Sequence, residues 1–139
     1  ITLIYMYLLD TNIISELRKP KPHEGVLAWF KKISASSIFI SAVTIGEIQA
    51  GIEITREQDS LKAIELENWL NQIIASNRVI PLDSECFKIW GKLMHRQSDT
   101  VSEDAMIAAT AITFKLAVVT RNIKDFKRFK VKLINPFES

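Results

Sequence analysis

Acidic side chains, or the amide of one, follow predicted strands or begin predicted helices at four places along the chain. Asp10 ends a short apolar run, Glu47 lies near the start of a helix, Asp104 opens another, and Asn122 with Asp125 follows a further apolar run. In a parallel sheet, the carboxyl ends of the strands and the starts of the following helices lie along one edge, where ligands bind. The spacing therefore predicts that these oxygen-bearing side chains converge.

Converging carboxylates repel one another, and a divalent cation relieves that repulsion. The ligands on offer are oxygens, because the single cysteine, Cys86, and the two histidines, His23 and His95, are not placed with the acids. Oxygen ligands favour Mg²⁺ or Mn²⁺ over Zn²⁺. Such a cation polarises a phosphodiester and lowers the pKa of a bound water, so the predicted chemistry is hydrolysis of a nucleic-acid backbone.

Each of these acids also has a purely structural explanation. Asp10 or Asn12 can cap the helix that follows, Thr44 and Glu47 have the spacing of a capping box, and Ser102 can cap the helix that contains Asp104. Structural carboxylates far outnumber catalytic ones, so no single residue identifies a site. Only the convergence of the acids at one edge of the sheet favours a metal site over these structural roles.

Short apolar segments alternate with helical patterns, which predicts an α/β fold with a mostly parallel sheet and helices on both sides. The predicted strands are residues 5–9, 37–41, 79–80, 116–120 and 131–134. No internal repeat or linker divides the chain, so residues 6–139 are predicted to form a single domain. Residues 1–5 are interpreted as an N-terminal extension before Met6.

The 139 residues carry a net charge of +2, but the basic residues are concentrated near the C-terminus. Seven of the 18 lysines and arginines fall between Lys115 and Lys132, where Asp125 is the only acid. This excess suits a polyanion such as nucleic acid, although a solvated surface has the same composition. One cysteine excludes an internal disulfide and fits the reducing cytoplasm. No apolar run approaches the roughly 20 residues of a membrane span.

Four sequence blocks resemble those of the PIN domain family, and more narrowly the VapC and FitB-type toxins of bacterial type II toxin–antitoxin pairs. The blocks are Leu-Leu-Asp10-Thr-Asn-Ile-Ile-Ser-Glu, Ser41-Ala-Val-Thr-Ile-Gly-Glu47-Ile, Asp104-Ala-Met-Ile-Ala-Ala-Thr-Ala and Val119-Thr-Arg-Asn122-Ile-Lys-Asp125-Phe. The resemblance implies a three-layer α/β/α sandwich and a metal-dependent ribonuclease. It also implies that Asp10, Glu47 and Asp104 bind Mg²⁺ or Mn²⁺, and that Thr11 or Thr120 orients a water or phosphate.

The family often has an acid where this chain has Asn122. The neutral amide removes a charge, so a second metal ion would be held less well, with Asp125 compensating in part through water. This difference counts against a two-metal mechanism and leaves a single-metal mechanism intact.

The resemblance also implies partners. Such toxins form homodimers that a small antitoxin holds inactive, and the antitoxin supplies the binding to operator DNA. Candidate antitoxin contacts in this chain are Ile14, Leu17, Trp29 and Phe30, all of which are equally suited to an ordinary core.

Two other functions fit parts of the sequence. A phosphatase with an aspartate nucleophile also has an acid at the tip of its first strand, but it commonly needs a second acid two residues later, where this chain has Asn12. The alternative from a different class is a non-catalytic component of a repressor complex on operator DNA. The sequence has no evident DNA-reading motif, so that role would depend on a partner.

Overall fold

A computed structural model describes residues 5–138 of the chain, so residues 1–4 of the expected N-terminal extension lie outside the described part. The strands are β1 (Tyr7–Leu9), β2 (Ile38–Ser41), β3 (Arg78–Ile80), β4 (Ala117–Val119) and β5 (Leu133–Ile134). They form one sheet in the order β3-β2-β1-β4-β5, with parallel pairing throughout. Because β1 is the central strand, its carboxyl end lies in the middle of one sheet edge.

Seven α-helices lie within residues 5–138. They are α1 (Thr11–Arg18), α2 (Glu24–Lys32), α3 (Ala42–Gln58), α4 (Ser60–Ser76), α5 (Ser84–Leu93), α6 (Ser102–Phe114) and α7 (Ile123–Phe126). In this part of the chain, no helix combines the length and the apolar character that crossing a bilayer requires.

The helices cover both faces of the sheet, because neighbouring residues of a strand point to opposite faces. Leu8 packs in one core with Ile107 of α6 and Phe126 of α7. Leu9, the next residue, packs in a second core with Ile13 of α1 and with side chains of α2, α3 and α4. The predicted α/β/α sandwich is thus confirmed, and the strand pairings are parallel as expected.

Helix α6 packs closely because its inner face is made of small residues. The alanines of this face are at most 1% exposed: Ala105, Ala108, Ala109 and Ala111. Such side chains let a helix backbone approach its neighbours closely in a densely packed interior. The Trp90 indole N–H donates to the Ser102 carbonyl oxygen at 3.1 Å, which fixes the start of α6 against α5. The first turn of α6, with its acids, is therefore held at a defined place.

The capping box suggested by the sequence at the start of α3 is wrong. Ser41 caps this helix instead, with its Oγ accepting from the Val43 N–H at 3.1 Å. Thr44 is buried inside the helix, so the Glu47 side chain does not serve the helix start. Helix α6 begins at Ser102 without a side-chain cap, so the capping role predicted for Ser102 is also wrong.

Candidate active site

Asp10 lies at the carboxyl end of β1 and is only 5% exposed. Its Oδ1 accepts from the Thr11 N–H at 2.8 Å, and its Oδ2 accepts from the Asn12 side-chain amide at 3.0 Å and from the Thr120 hydroxyl at 2.8 Å. Asp10 is thus the cap of α1, as the structural explanation predicted. A carboxylate offers about four acceptor positions, so these three bonds leave it room for a further ligand.

Glu47 is connected to Asp10 through the residue between strand and helix. The Thr11 hydroxyl donates to Glu47 Oε1 at 3.1 Å, and the Thr44 hydroxyl lies 3.3 Å from that of Thr11. Thr11 therefore presents its backbone to Asp10 and its side chain to Glu47. Thr120 has the corresponding role on the other side, since its hydroxyl donates to Asp10 and accepts from the Asn122 N–H at 2.9 Å.

Burial raises the pKa of Glu47 to about 7, against the hydrogen bond from Thr11, which lowers it. The nearby charges of Glu103 and Asp10 raise it further, and Glu103 also hydrogen-bonds the Glu47 carboxyl group. Glu103, in the first turn of α6, is a member of this cluster that the sequence patterns did not single out. Its only signal was its position next to Asp104.

Asp104 carries a similarly perturbed carboxyl group. Burial raises its pKa to about 6, the charges of Asp10, Asp125 and Glu103 add to the effect, and Arg128 opposes it. The pKa of Asp10 is also raised, mainly by burial and in part by the charge of Asp125, while its three hydrogen bonds lower it. These mutual effects are what closely spaced carboxylates produce.

Asn122 and Asp125 differ in what they bring to this cluster. Asn122 has an exposed side chain, and its backbone N–H bonds Thr120. Asp125 is the residue of the pair whose charge raises the pKa values of Asp10 and Asp104. The additional negative charge near the site therefore comes from Asp125.

The donor set suits a hard divalent cation but is not pre-arranged around one. Within residues 5–138, no three His, Cys, Asp or Glu side chains form a ready set of metal ligands. The chemistry nevertheless fits, because carboxylate oxygens are what Mg²⁺ and Mn²⁺ prefer. Burial is the main cause of the raised pKa values of Asp10, Glu47 and Asp104, and the charges of neighbouring acids add to it. A bound cation would favour the ionised form of all three.

Two cavities flank the acids, and a third is apolar. One of about 330 Å³ is lined by Thr11 and Glu47 and extends to Trp69. Another of about 480 Å³ is lined largely by the loop after β4 and by α7. The apolar cavity of about 200 Å³ is lined by three of the four candidate antitoxin contacts, Ile14, Leu17 and Phe30, together with residues of α4. Trp29, the fourth, packs against Tyr7 and Phe30.

The Thr120→Val substitution is expected to destabilise the protein by about 1–3 kcal/mol. Valine keeps the shape of threonine, but the buried Asp10 carboxylate loses a donor and the Asn122 N–H loses its acceptor. Urea denaturation measures the loss. The matched control is Thr113→Val, because the Thr113 hydroxyl bonds only the Ala109 carbonyl of its own helix, at 2.8 Å. Equal stabilities of the two variants would contradict a structural role for the Thr120–Asp10 bond.

Comparison with known proteins matches the chain along nearly its whole length. A family model described as the PIN domain matches residues 7–132. The toxin FitB of Neisseria gonorrhoeae is 31% identical over 95% of this chain and 99% of its own length. The VapC ribonuclease Y4jK of Sinorhizobium fredii is 32% identical over 96% and 99%. A solved structure of FitAB bound to an IR36 DNA fragment superposes with a TM-score of 0.79 at 30% identity, covering 95% of this chain and 96% of the other.

Proposed function

Because the chain belongs to the PIN domain family, we propose that it is a divalent-cation-dependent endoribonuclease and the toxin of a toxin–antitoxin pair. The observation that carries this proposal is the cluster of Asp10, Glu47 and Asp104, whose pKa values are all raised at one edge of a parallel sheet. Relatives of similar length are named as a toxin and as a ribonuclease, which supports the same function.

Asp10, Glu47 and Asp104 are proposed to hold the cation, Mg²⁺ or Mn²⁺. Once bound, such an ion lowers the pKa of a water and polarises a phosphodiester. The protein's own contribution is to fix the acids: Asn12 and Thr120 orient the Asp10 carboxylate, and Thr11 orients that of Glu47. Because these hydrogen bonds exist before any ligand binds, they limit how far the Asp10 and Glu47 carboxylates must move to reach a cation.

The test is cleavage of total cellular RNA by purified protein without antitoxin. We expect cleavage with Mg²⁺ or Mn²⁺, its loss on addition of EDTA, and its return when excess cation is restored. The Asp10→Asn variant, purified in the same way, is the control for contaminating nucleases. Cleavage that persists both in EDTA and in the variant would belong to a contaminant and would remove the support for this function.

Binding of a cognate antitoxin is proposed at the apolar cavity lined by Ile14, Leu17 and Phe30. Its position beside Trp69, which also lines the cavity next to Glu47, lets one bound segment reach from the apolar cavity toward the acids.

The related FitAB structure is bound to DNA, and we propose that this chain reaches operator DNA only through its antitoxin. A homodimer is proposed as its assembly. The buried free thiol of Cys86 is compatible with action in the cytoplasm.

The Leu17→Asp substitution tests the antitoxin site. Leu17 is partly exposed at the apolar cavity, so a charge there should block an apolar partner while leaving the core intact. Co-purification with the antitoxin should be lost, and RNA cleavage should remain. Leu27→Asp, at a similarly exposed leucine outside this cavity, is the matched control and should still co-purify.

A further inference from the structure

We propose that Phe137 holds the Arg121 guanidinium at a basic cavity where Arg121, Lys124 and Lys127 bind phosphates of the RNA strand beside the cleaved bond. This inference rests on the ribonuclease function proposed above. It assigns the substrate's backbone to particular side chains and gives the C-terminal turn a role in binding.

Arg121 is tied to the acid cluster through its backbone. Its N–H donates to Asn12 Oδ1 at 3.2 Å, and the Asn12 amide donates in turn to Asp10. Because Arg121 directly follows Thr120, it stands one residue from a direct hydrogen-bond partner of Asp10. A phosphate bound by its side chain would therefore lie close to the acids.

The Arg121 side chain is held by an aromatic ring. The guanidinium carbon lies 4.6 Å from the centroid of the Phe137 ring, a separation at which a cation and a ring attract. Phe137 itself is fixed from two sides: its ring centroid lies 4.9 Å from that of His23, and its N–H donates to Asn135 Oδ1 at 2.9 Å. Stacking on a ring occupies a face of the guanidinium and leaves its N–H groups directed outward to an acceptor.

The cavity beside Arg121 is lined by more cations than acids. Its volume is about 480 Å³, and Lys124 and Lys127 line it together with Arg121. None of these three cations takes part in an ion pair within residues 5–138. Asp125 and Glu138 also line the cavity, but the charge of Asp125 acts on the Asp10 and Asp104 carboxyl groups. Unpaired cations on a concave surface suit a polyanion.

The binding of RNA to this cavity can be measured apart from cleavage. In an Asp10→Asn background, the affinity for a short mixed-sequence single-stranded RNA is measured by fluorescence anisotropy at several salt concentrations. Each contact with a phosphate contributes about 0.7 to the slope of log K against log salt for a single strand. Arg121→Gln and Lys124→Gln are each expected to reduce the slope by about that amount.

A double-mutant cycle tests the positioning role of Phe137. Phe137→Leu keeps an apolar side chain and the charge of Arg121, so its expected effect is a loss of affinity of about two- to five-fold, the range of a cation–ring contact. In the Arg121→Gln background the same change should cost nothing, because its effect passes through Arg121. Losses that add fully would show that Phe137 acts independently, and they would overturn the positioning role.

The matched control is Lys115→Gln. Lys115 lines a separate basic cavity with Lys130 and Lys132, next to the starts of β4 and β5 and away from the acids, so its removal should leave the slope unchanged. If the wild-type protein cleaves RNA while Arg121→Gln and Lys124→Gln behave like this control, the phosphate site is wrong and the ribonuclease function stands. If Arg121→Gln and Lys124→Gln reduce the slope but the wild-type protein never cleaves RNA, the phosphate site stands and the ribonuclease function is wrong.

Discussion

The Asp10→Asn variant is expected to keep its fold and to lose RNA cleavage by about a thousand-fold or more. Asparagine caps a helix as well as aspartate does, so α1 retains the cap that Asp10 now provides. The negative charge at the end of β1 is lost, and with it a proposed ligand of the cation. Metal ions supply several kcal/mol of transition-state stabilisation, and about 1.4 kcal/mol corresponds to a factor of ten in rate. Single-turnover cleavage of labelled RNA measures the loss.

The control for this variant is Asp59→Asn, the same chemical change at another helix cap. Asp59 caps α4, and its Oδ1 accepts from the Lys62 N–H at 3.0 Å. The residue lies between α3 and α4, and its charge is not among the main causes of the raised pKa values in the site. We expect its cleavage rate to equal that of the wild type. An Asp10→Asn variant that cleaves equally well would exclude Asp10 from the reaction.

Glu47→Gln is expected to have opposite effects on activity and on stability. The cleavage rate should fall by about a hundred-fold or more, because a proposed carboxylate ligand of the cation is lost. The metal-free protein should become more stable, with a Tm higher by a few degrees. For a domain of this size, a change of about 1 kcal/mol in the free energy of unfolding shifts Tm by several degrees. The reason is that the ionised Glu47 is half-buried and lies near Glu103 and Asp10, whose charges repel it. Glutamine keeps the size and the contact with Thr11 without the charge.

The raised pKa of Glu47 predicts that the stability of the metal-free protein depends on pH. The pKa of Glu47 is about 7 in the folded protein against 4.5 for an unperturbed glutamate, so the folded state keeps its proton to higher pH than the unfolded state does. Stability falls with rising pH wherever the folded state binds more protons. Metal-free wild-type protein should therefore lose stability between about pH 4.5 and 7, as measured by thermal unfolding.

In Glu47→Gln, the stability should change less between about pH 4.5 and 7 than it does in the wild type. Glu57→Gln, at an exposed position on the same helix, should leave it as in the wild type. Addition of Mg²⁺ or Mn²⁺ should stabilise the wild type most at the high end of the range, where the carboxylates are ionised, because a ligand that binds only the folded state raises its stability. A glutamine variant that is less stable than the wild type at pH 8 would contradict the repulsion.

The strand tips were predictable from sequence because they are local features. A buried apolar run that stops on Asp10 needs no knowledge of the rest of the chain, and a parallel sheet then places Glu47 and Asp104 at the same edge. Which face of a helix an acid occupies depends on packing instead. Thr44 and Glu47 have the spacing of a capping box, but Ser41 caps the helix. Thr44 is buried inside the helix, and its hydroxyl contacts that of Thr11.

Other parts of the site depend on contacts that sequence spacing cannot reveal. Glu103 of α6 acts on Glu47 of α3, and the two residues are 56 positions apart in the sequence. The sequence left Asn122 and Asp125 as alternatives, and the charge of Asp125 alone acts on Asp10. The contact between Arg121 and Phe137 joins the loop after β4 to the last turn of the described chain, so it cannot be predicted from a local sequence pattern.

The hydrogen bonds of the central strand tip have a consequence for the nascent chain on the ribosome. The partners of Thr11 and Asp10 are far apart along the chain: Thr11 bonds Glu47 at a separation of 36 residues, and Asp10 bonds Thr120 at a separation of 110. During translation, Asp10 is synthesised long before Thr120, whose hydroxyl orients the Asp10 carboxylate. Domains fold as units once their segments have emerged. The Asp10 carboxylate therefore lacks this orienting hydrogen bond until synthesis has passed β4.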